Sequence, residues 1–369
     1  MNELQDKCRG SLVGGAVGDA LGYEVEFMSL RDIRKRFGEN GIADYVLDRN
    51  GVAEFSDDTQ MTLFTAEGLL TGVADGQTDE KDILPYITKA YEYWYYTQTR
   101  PMAGMSGSWL TYIPALWSRR APGNTCMQAL HAITVPDAAL VRNNSKGCGG
   151  VMRVAPVGIY SAAHQDMLDL EHAAFLAGYA ADITHKHPLS TYSSMALAMI
   201  VADCIARDDI DRDKFRLIVL DHVFARLGLY VGEYRYLDDL QALIEKALEL
   251  AVSDRTDTDA ICILGEGWVA EETLAIAVFS VMRYIDDFEK CVRCAVNHDG
   301  DSDSTGAVAG NIIGAILGYK AIPQKYLAYL ELHDVVLSVA DDLGGFSACK
   351  QMEQRYVDHR PFNVADGLS

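Results

Sequence analysis

The sequence has few positively charged residues for its length. Its 369 residues include 32 Lys and Arg against 53 Asp and Glu, a formal net charge of −21 at pH 7. Proteins that grip the backbone of a nucleic acid need a clustered basic face. We therefore expect no binding to a nucleic-acid backbone, although backbone amides could still hold a small nucleotide-like ligand.

Long hydrophobic runs and an export signal are also missing. The longest apolar candidate, 306–319, is interrupted by Asn311 and falls short of the ~18 residues of a membrane span. The opening residues MNELQDKCRG show no basic stretch followed by an apolar core, as an export signal would. We expect no membrane association and a cytoplasmic location.

Strand signals are scarce, and no long Pro-, Ser- or Gly-rich linker divides the chain. Apolar residues instead return every three or four positions, which is typical of amphipathic helices. This period covers 59–72, 82–97, 168–181, 190–207, 239–252, 270–286 and 325–342. The pattern predicts a compact all-α bundle, a single domain over 1–369. It allows at most a short β-hairpin near 45–55, around Asn50-Gly51.

The eight cysteines are spread widely, so we expect reduced, intracellular thiols rather than a disulfide framework. One pair, Cys291-x-x-Cys294, has the spacing of a half zinc site. It has no second pair and no ligating His nearby, so we expect these two side chains to lie in the core.

Glycine recurs at every fourth position in two segments. Because glycine destabilises a helix interior by up to ~1 kcal/mol per site, such stripes imply close backbone packing against a neighbouring helix. The sequence predicts two glycine-ridged helices at the centre of the bundle, possible partners of each other. The two sets are Gly10, Gly14, Gly18 and Gly22, and Gly306, Gly310, Gly314 and Gly318.

Two short acidic runs are the most informative feature of the chain. Ser56-Asp57-Asp58-Thr59 and Asp301-Ser302-Asp303-Ser304-Thr305 each lead into an apolar helical stretch. Carboxylates packed this closely repel one another unless a cation lies between them. The available ligands are hard oxygens, which favour Mg²⁺, Mn²⁺ or Ca²⁺ over zinc. The alternative is that each run only caps its helix.

A third glycine cluster, NNSKGCGGVMRVAP at 143–156, lacks helical spacing. Such a run offers free backbone N–H groups that suit a diphosphate, but taken alone it fits a tight turn equally well. If a diphosphate binds here, we expect Gly147 and Gly149 to line it, with Lys146 and Arg153 as nearby positive charges. Further on, Thr184-His185-Lys186-His187-Pro188 carries two imidazoles. One of them is interpreted as a substrate contact or, alternatively, as a structural histidine.

Together the motifs resemble the ADP-ribosylglycohydrolase family. The resemblance spans almost the whole chain in the expected order. It implies a compact all-α domain with two Mg²⁺ ions, or Mn²⁺, at the base of an ADP-ribose cleft. Family members cleave the bond between ADP-ribose and an acceptor, which is a protein or a small molecule. The motifs are GSLVGGAVGDALGYEVEF (10–27), FSDDTQMT (55–62), NSKGCGGVMRVAP (144–156), THKHP (184–188), LGEGWVAEETLAIA (264–277) and DGDSDSTGAVAGNIIGA (299–315).

The resemblance also implies roles for individual residues. Glu26 and Asp303 are implied as catalytic, and Glu24 is the weaker candidate beside Glu26. The segment 102–108 falls where the family has a further substrate loop. The implied metal ligands are Ser56, Asp57, Asp58, Asp301, Asp303 and Ser304. The implied substrate contacts are Ser145, Lys146, Gly147, Cys148, Gly149 and His185.

Other functions remain open at this point. Asp301-x-Asp303-x-Thr305 also fits the nucleophile motif of haloacid-dehalogenase-type phosphatases, which should end a buried strand of an α/β domain. A silent ADP-ribose-binding protein of the same fold is a second alternative. Among acceptors, the resemblance favours ADP-ribosyl-arginine, with ADP-ribosyl-serine and O-acyl-ADP-ribose as alternatives.

Overall fold

The computed structural model describes residues 1–102, 107–135, 143–231 and 234–358. Helices dominate it, as the sequence predicts. The α-helices are α1 Glu3–Tyr23, α2 Leu30–Phe37, α3 Asp57–Ala74, α4 Glu80–Thr99, α5 Asn124–Thr134, α6 Ala155–Ala163, α7 Leu170–Asp182, α8 Pro188–Ile205, α9 Arg212–Leu217, α10 Ala225–Tyr230, α11 Tyr234–Ala251, α12 Asp257–Leu264, α13 Ala270–Arg283, α14 Phe288–Val296, α15 Ser302–Leu317, α16 Gln324–Leu327, α17 His333–Leu343 and α18 Cys349–Tyr356. Short 3₁₀ segments cover Leu110–Tyr112, Pro114–Trp117, Cys148–Arg153 and Tyr319–Ala321, and a π-helical segment covers Ile218–Phe224.

Across the described ranges no β-sheet forms, which confirms the all-α prediction. Two isolated bridges occur, Ala53 with Leu330 and Gly147 with Val269. The allowance for a hairpin near 45–55 is not needed, because residue 53 pairs with a distant loop. The Ala53 N–H donates to the Tyr329 carbonyl at 2.7 Å, and the Glu331 N–H donates to the Ala53 carbonyl at 3.0 Å. Only a tight turn remains at 48–52, where the Asp48 N–H donates to the Val52 carbonyl.

The two glycine-ridged helices pack against each other in antiparallel fashion. A Cβ atom added to Gly18 would lie 1.9 Å from the carbonyl oxygen of Gly306, and one added to Gly14 would lie 2.5 Å from that of Gly310. The reciprocal contacts are equally close, with a Cβ on Gly314 lying 2.0 Å from the Gly10 oxygen. The glycines therefore allow α1 and α15 to approach backbone to backbone in the middle of the fold.

The prediction of one continuous helix over 325–342 is wrong in its middle. The structure has a short α16, then a break, and α17 starts at His333. The break holds Glu331 in its pairing with Ala53, and Leu332 adopts a left-handed backbone with φ of 50°. Long-range backbone pairing here overrides the local helical period.

Helix α8 corrects the expectation that no segment is long and apolar enough to span a membrane. It has 18 residues and a mean hydropathy of 1.3, which meet that requirement by length and composition. However, 89% of the helix is buried inside the protein, as in the core helix of a globular domain.

The Cys291 and Cys294 side chains are free and buried in α14, as predicted.

Candidate active site

The α1–α15 pair brings the ends of three helices together. A Cβ on Gly22, near the end of α1, would lie 2.2 Å from the carbonyl oxygen of Ser302, at the start of α15. Asp301 is the N-cap residue of α15, and Ser56 is the N-cap residue of α3. Both acidic runs therefore do cap their helices. The carboxylates that follow the two N-cap residues, Asp57, Asp58 and Asp303, line one cavity.

Asp19, between the last two glycines of the first ridge, anchors the first acidic run. Its carboxylate is fully buried and accepts hydrogen bonds at 2.9 Å from the backbone N–H groups of Ser56 and Thr59. The two runs also bond to each other directly, since the Ser304 hydroxyl donates to Asp58 Oδ2 at 2.8 Å. α1, α3 and α15 thus fix one acidic centre.

This centre lies at a cavity of about 720 Å³. The cavity wall combines five carboxylates with a glycine-containing loop and two aromatic side chains. Arg119 is the one Lys or Arg among the described residues that line it. The lining residues are Glu26, Phe27, Asp57, Asp58, Arg119, Ala121, Pro122, Gly123, Asn124, Thr125, Cys126, Gly147, Cys148, Gly149, Met152, His185, Trp268, Asp301, Asp303 and Ser304.

Burial and mutual repulsion disfavour negative charge on these groups in the absence of a cation. Burial, and then the charge of Asp303, raise the pKa of Glu26 to about 11. The same two causes raise the pKa of Asp19 to about 7. They also raise the pKa values of Asp57, Asp58 and Asp301 well above the usual range. A bound cation would relieve this repulsion.

Three of the carboxylates have the spacing of a metal site. Glu26, Asp301 and Asp303 each offer an oxygen atom, and these atoms all lie within 4.8 Å of one another. Glu26 Oε2 is buried and has no hydrogen-bond partner among the described residues. An orphaned buried oxygen beside two other carboxylates fits a hard divalent cation.

Most of the residues singled out in the sequence meet here. Ten of them line the cavity, namely Glu26, Asp57, Asp58, Asp301, Asp303, Ser304, Gly147, Cys148, Gly149 and His185. Ser56, Ser145 and Lys146 do not. The Ser56 hydroxyl accepts from the Asp58 N–H at 3.1 Å, and Lys146 forms an ion pair with Glu271.

Two neighbouring charged groups turn away from the cavity. Arg153 is fully buried, and its guanidinium donates to the Ala180 carbonyl at 3.0 Å and to the Thr184 hydroxyl at 2.7 Å. The expectation that Arg153 offers its charge to a bound diphosphate is therefore wrong. Glu24, the weaker alternative to Glu26, pairs with Arg36 at 2.5 Å.

The glycine-containing loop is fixed between His185 and the second acidic run. The Cys148 N–H donates to the Trp268 carbonyl at 3.2 Å, and its thiol donates to Asp301 Oδ2 at 2.7 Å. A Cβ on Gly149 would lie 2.8 Å from His185 Cε1, so only glycine fits beside that ring. Burial and the charge of Arg153 lower the pKa of His185 to about 3, which leaves a neutral imidazole.

Three kinds of residue that build or line the cavity could not be predicted from the sequence. Asp19 stands inside the first quoted motif, but nothing local shows that it anchors a distant acidic run. Trp268 and Phe27 are also inside quoted motifs, and only the fold brings them together at the cavity. Most of the stretch 119–126 also lines the cavity, but its sequence contains no recognisable motif. The candidate substrate loop at 102–108 falls largely outside the described residues, which omit 103–106.

The phosphatase alternative is wrong. A haloacid-dehalogenase-type nucleophile follows a buried strand, whereas Asp301 follows α14 and a short connection and caps α15. The described part of the chain contains no sheet that could hold such a strand.

Comparisons with known proteins show the family and agree with the fold. The family model for ADP-ribosylglycohydrolase matches residues 1–352. ADP-ribosyl-[dinitrogen reductase] glycohydrolase of Rhodospirillum rubrum is 26% identical over 89% of this chain and 92% of its own. ADP-ribosylarginine hydrolase Tri1 of Serratia proteamaculans is 26% identical over 93% of this chain and 80% of its own.

A solved structure shares the fold. It is described as an ADP-ribosylglycohydrolase-related protein complex and superimposes with a TM-score of 0.60 at 24% identity. The match covers 94% of this chain and all of the other. The chain therefore belongs to the ADP-ribosylglycohydrolase family of glycosyl-bond-cleaving enzymes.

Proposed function

We propose that this enzyme is a divalent-metal-dependent hydrolase that releases ADP-ribose from ADP-ribosyl-arginine. The observation that carries the proposal is the meeting of five carboxylates, with the unpartnered Glu26 Oε2 among them, at the cavity of about 720 Å³. The name of one relative, ADP-ribosylarginine hydrolase, supports arginine as the acceptor.

The residues that would hold two Mg²⁺ ions, or Mn²⁺, are the carboxylates of the two runs together with Ser304 and Ser56. Ser56 is the weakest of the proposed ligands, because its hydroxyl already accepts from the Asp58 N–H. When bound, the cations would supply Lewis acidity and lower the pKa of a coordinated water. Asp58 and Ser304 are already oriented towards each other by their hydrogen bond, which keeps the ligand set in place.

The diphosphate of the substrate would lie against the loop that contains Gly147 and Gly149. Both glycines line the cavity, and backbone N–H groups can bind an anion in a chain that is otherwise strongly acidic. We assign the diphosphate to Arg119 rather than to Lys146 or Arg153, because Arg119 is the one of these three side chains that lines the cavity. His185 is neutral and would contribute a hydrogen bond rather than a charge.

Glu26 is the group that we assign to proton transfer. It lies beside the acidic centre, one of its oxygens has no partner, and burial raises its pKa. A carboxyl group of this kind can hold or release a proton at neutral pH, depending on the positive charge near it. Glycoside cleavage passes through an oxocarbenium-like state, which the surrounding carboxylates would stabilise.

The acceptor is tested with three matched substrates that carry ADP-ribose on arginine, on serine and as an O-acyl ester. Released ADP-ribose is measured after incubation with Mg²⁺. We expect the arginine linkage to be hydrolysed fastest. Preference for serine or the ester would overturn the choice of acceptor, and ADP-ribose binding without any release would favour a silent binding protein.

The proposed site of action is the cytoplasm, and ADP-ribosylated proteins or small ADP-ribose conjugates are the proposed partners. All eight cysteines are free, which supports a reducing compartment. The net charge of −21 supports the absence of nucleic-acid backbone binding.

A further inference from the structure

We infer that Phe27, Trp268 and an adjoining acidic cavity form the subsite for the acceptor, and that this subsite takes a cationic, arginine-containing segment. The inference rests on the proposed function, because it concerns the group that is cut from ADP-ribose. Phe27 and Trp268 have no role in metal binding or proton transfer in the proposed function.

The two aromatic side chains form an exposed stacked pair. Their ring centroids lie 6.0 Å apart with an interplanar angle of 23°. Phe27 is 75% exposed and Trp268 is 39% exposed, although both side chains line the cavity that holds the acidic centre. Exposed aromatic faces at a binding cavity commonly serve recognition, because leaving them in water is unfavourable.

The pair stands next to the acidic centre. Phe27 directly follows Glu26, the residue assigned to proton transfer. The backbone carbonyl of Trp268 accepts from the Cys148 N–H, and a Cβ on Gly267 would lie 3.5 Å from Asp301 Cβ. Trp268 is therefore held beside the second acidic run, where a leaving group would emerge from the proposed site.

Trp268 also forms a wall of a second cavity, of about 580 Å³. Four carboxylates line that cavity, and the described residues that line it include no Lys or Arg. The Glu272 carboxylate is held by the N–H groups of Glu266 and Gly267, at 3.0 and 3.2 Å. The four acidic residues are Asp259, Glu266, Glu272 and Asp299.

Charge decides which end of the substrate enters this second cavity. The ADP part carries a diphosphate, which four carboxylates would repel. The acceptor part carries positive charge when the modified residue is an arginine flanked by basic residues, and guanidinium groups stack on aromatic faces. Charge complementarity thus places the acceptor over Phe27 and Trp268, with its flanking residues in the second cavity.

The aromatic pair is tested by replacing both rings in the full-length enzyme. Phe27→Ala combined with Trp268→Ala is expected to raise KM for an ADP-ribosyl-arginine peptide about tenfold, the size of a lost cation–π contact near desolvated groups. The affinity for free ADP-ribose should stay within about twofold. Leu229→Ala, at an apolar residue that is 83% exposed in α10, is the matched control and should leave KM unchanged.

The conservative pair Phe27→Tyr and Trp268→Phe should restore KM, because an aromatic face is what the subsite requires. Glu266→Gln should raise KM for a basic peptide more at low ionic strength than at high ionic strength. A parallel loss of ADP-ribose affinity in the double alanine variant would overturn the inference, since the pair would then bind the ADP part. An unchanged KM would overturn it as well. Failure of the unaltered protein to bind ADP-ribose would overturn the proposed function, and this inference with it.

Discussion

The Ser304 hydroxyl donates a 2.8 Å hydrogen bond to Asp58 Oδ2 across a sequence separation of 246 residues. This contact joins the two acidic runs, which cap two different helices. It depends on the close approach of α1 and α15, because that approach brings the start of α15 next to the residues that Asp19 anchors. The glycine ridges and the acidic runs are therefore parts of one arrangement.

Removing the Ser304 hydroxyl should weaken cation binding. Ser304→Ala is expected to lower Mg²⁺ affinity about tenfold, since a hydrogen bond to a charged group contributes ~1.5 kcal/mol. Calorimetric titration with Mg²⁺ measures the change. Ser302→Ala is the control, because that hydroxyl has only a 3.4 Å contact with the Gly300 carbonyl. Equal Mg²⁺ affinity in both variants would remove Ser304 from the metal site.

Glu26 should be needed for turnover but not for ADP-ribose binding. Glu26→Gln is expected to lower kcat by at least ~10²-fold, the usual size of a lost acid–base catalyst. Glu24→Gln is the matched control, because Glu24 pairs with Arg36. Single-turnover assays and ADP-ribose titrations of both variants measure the two properties. A normal rate in Glu26→Gln would assign proton transfer to another carboxylate.

The metal-free protein should lose stability as the pH rises above neutrality. Unfolded, Glu26 is ionised above its usual pKa of 4.5, whereas the folded protein keeps it protonated up to about 11. Between these two pKa values the folded state keeps a proton that the unfolded state has released, so Glu26 alone lowers the free energy of unfolding by about 1.4 kcal/mol per pH unit. Urea denaturation between about pH 7 and about pH 9 measures this slope.

Saturating Mg²⁺ should make the free energy of unfolding depend less on pH, because a bound cation favours the ionised form of the Glu26 carboxylate. Glu26→Gln should reduce the slope in the metal-free protein. A metal-free protein whose stability is constant over this range would contradict the raised pKa.

The glycine ridges should tolerate no side chain. A Cβ on Gly18 would lie 1.9 Å from the Gly306 oxygen, so Gly18→Ala must push α1 and α15 apart, and we expect a loss of at least ~3 kcal/mol. Gly228→Ala in α10 is the control, because nothing lies within 4 Å of the added carbon. It should be neutral or stabilise by up to ~1 kcal/mol. Thermal and urea unfolding of both variants decide the point.

Local patterns predicted the helices and singled out the two acidic runs, because both features depend on residues that are close in sequence. The glycine spacing predicted close helix packing, with the two ridges as possible partners of each other, and the structure confirms that they pair. Long-range effects were not predictable in the same way. The break before α17 depends on pairing with Ala53, and the burial of Arg153 depends on its bonds to α7 and Thr184. The meeting of Phe27 and Trp268 likewise needs the whole fold.

The most direct test of the account is release of ADP-ribose from an ADP-ribosyl-arginine peptide by the metal-free and the Mg²⁺-restored enzyme. We predict no release after treatment with EDTA, recovery with Mg²⁺ or Mn²⁺, and a rate at least ~10²-fold lower in Asp303→Ala, as for the loss of a main electrostatic contributor. Full release by the metal-free protein, or an unchanged rate in Asp303→Ala, would contradict the proposed metal-dependent hydrolysis.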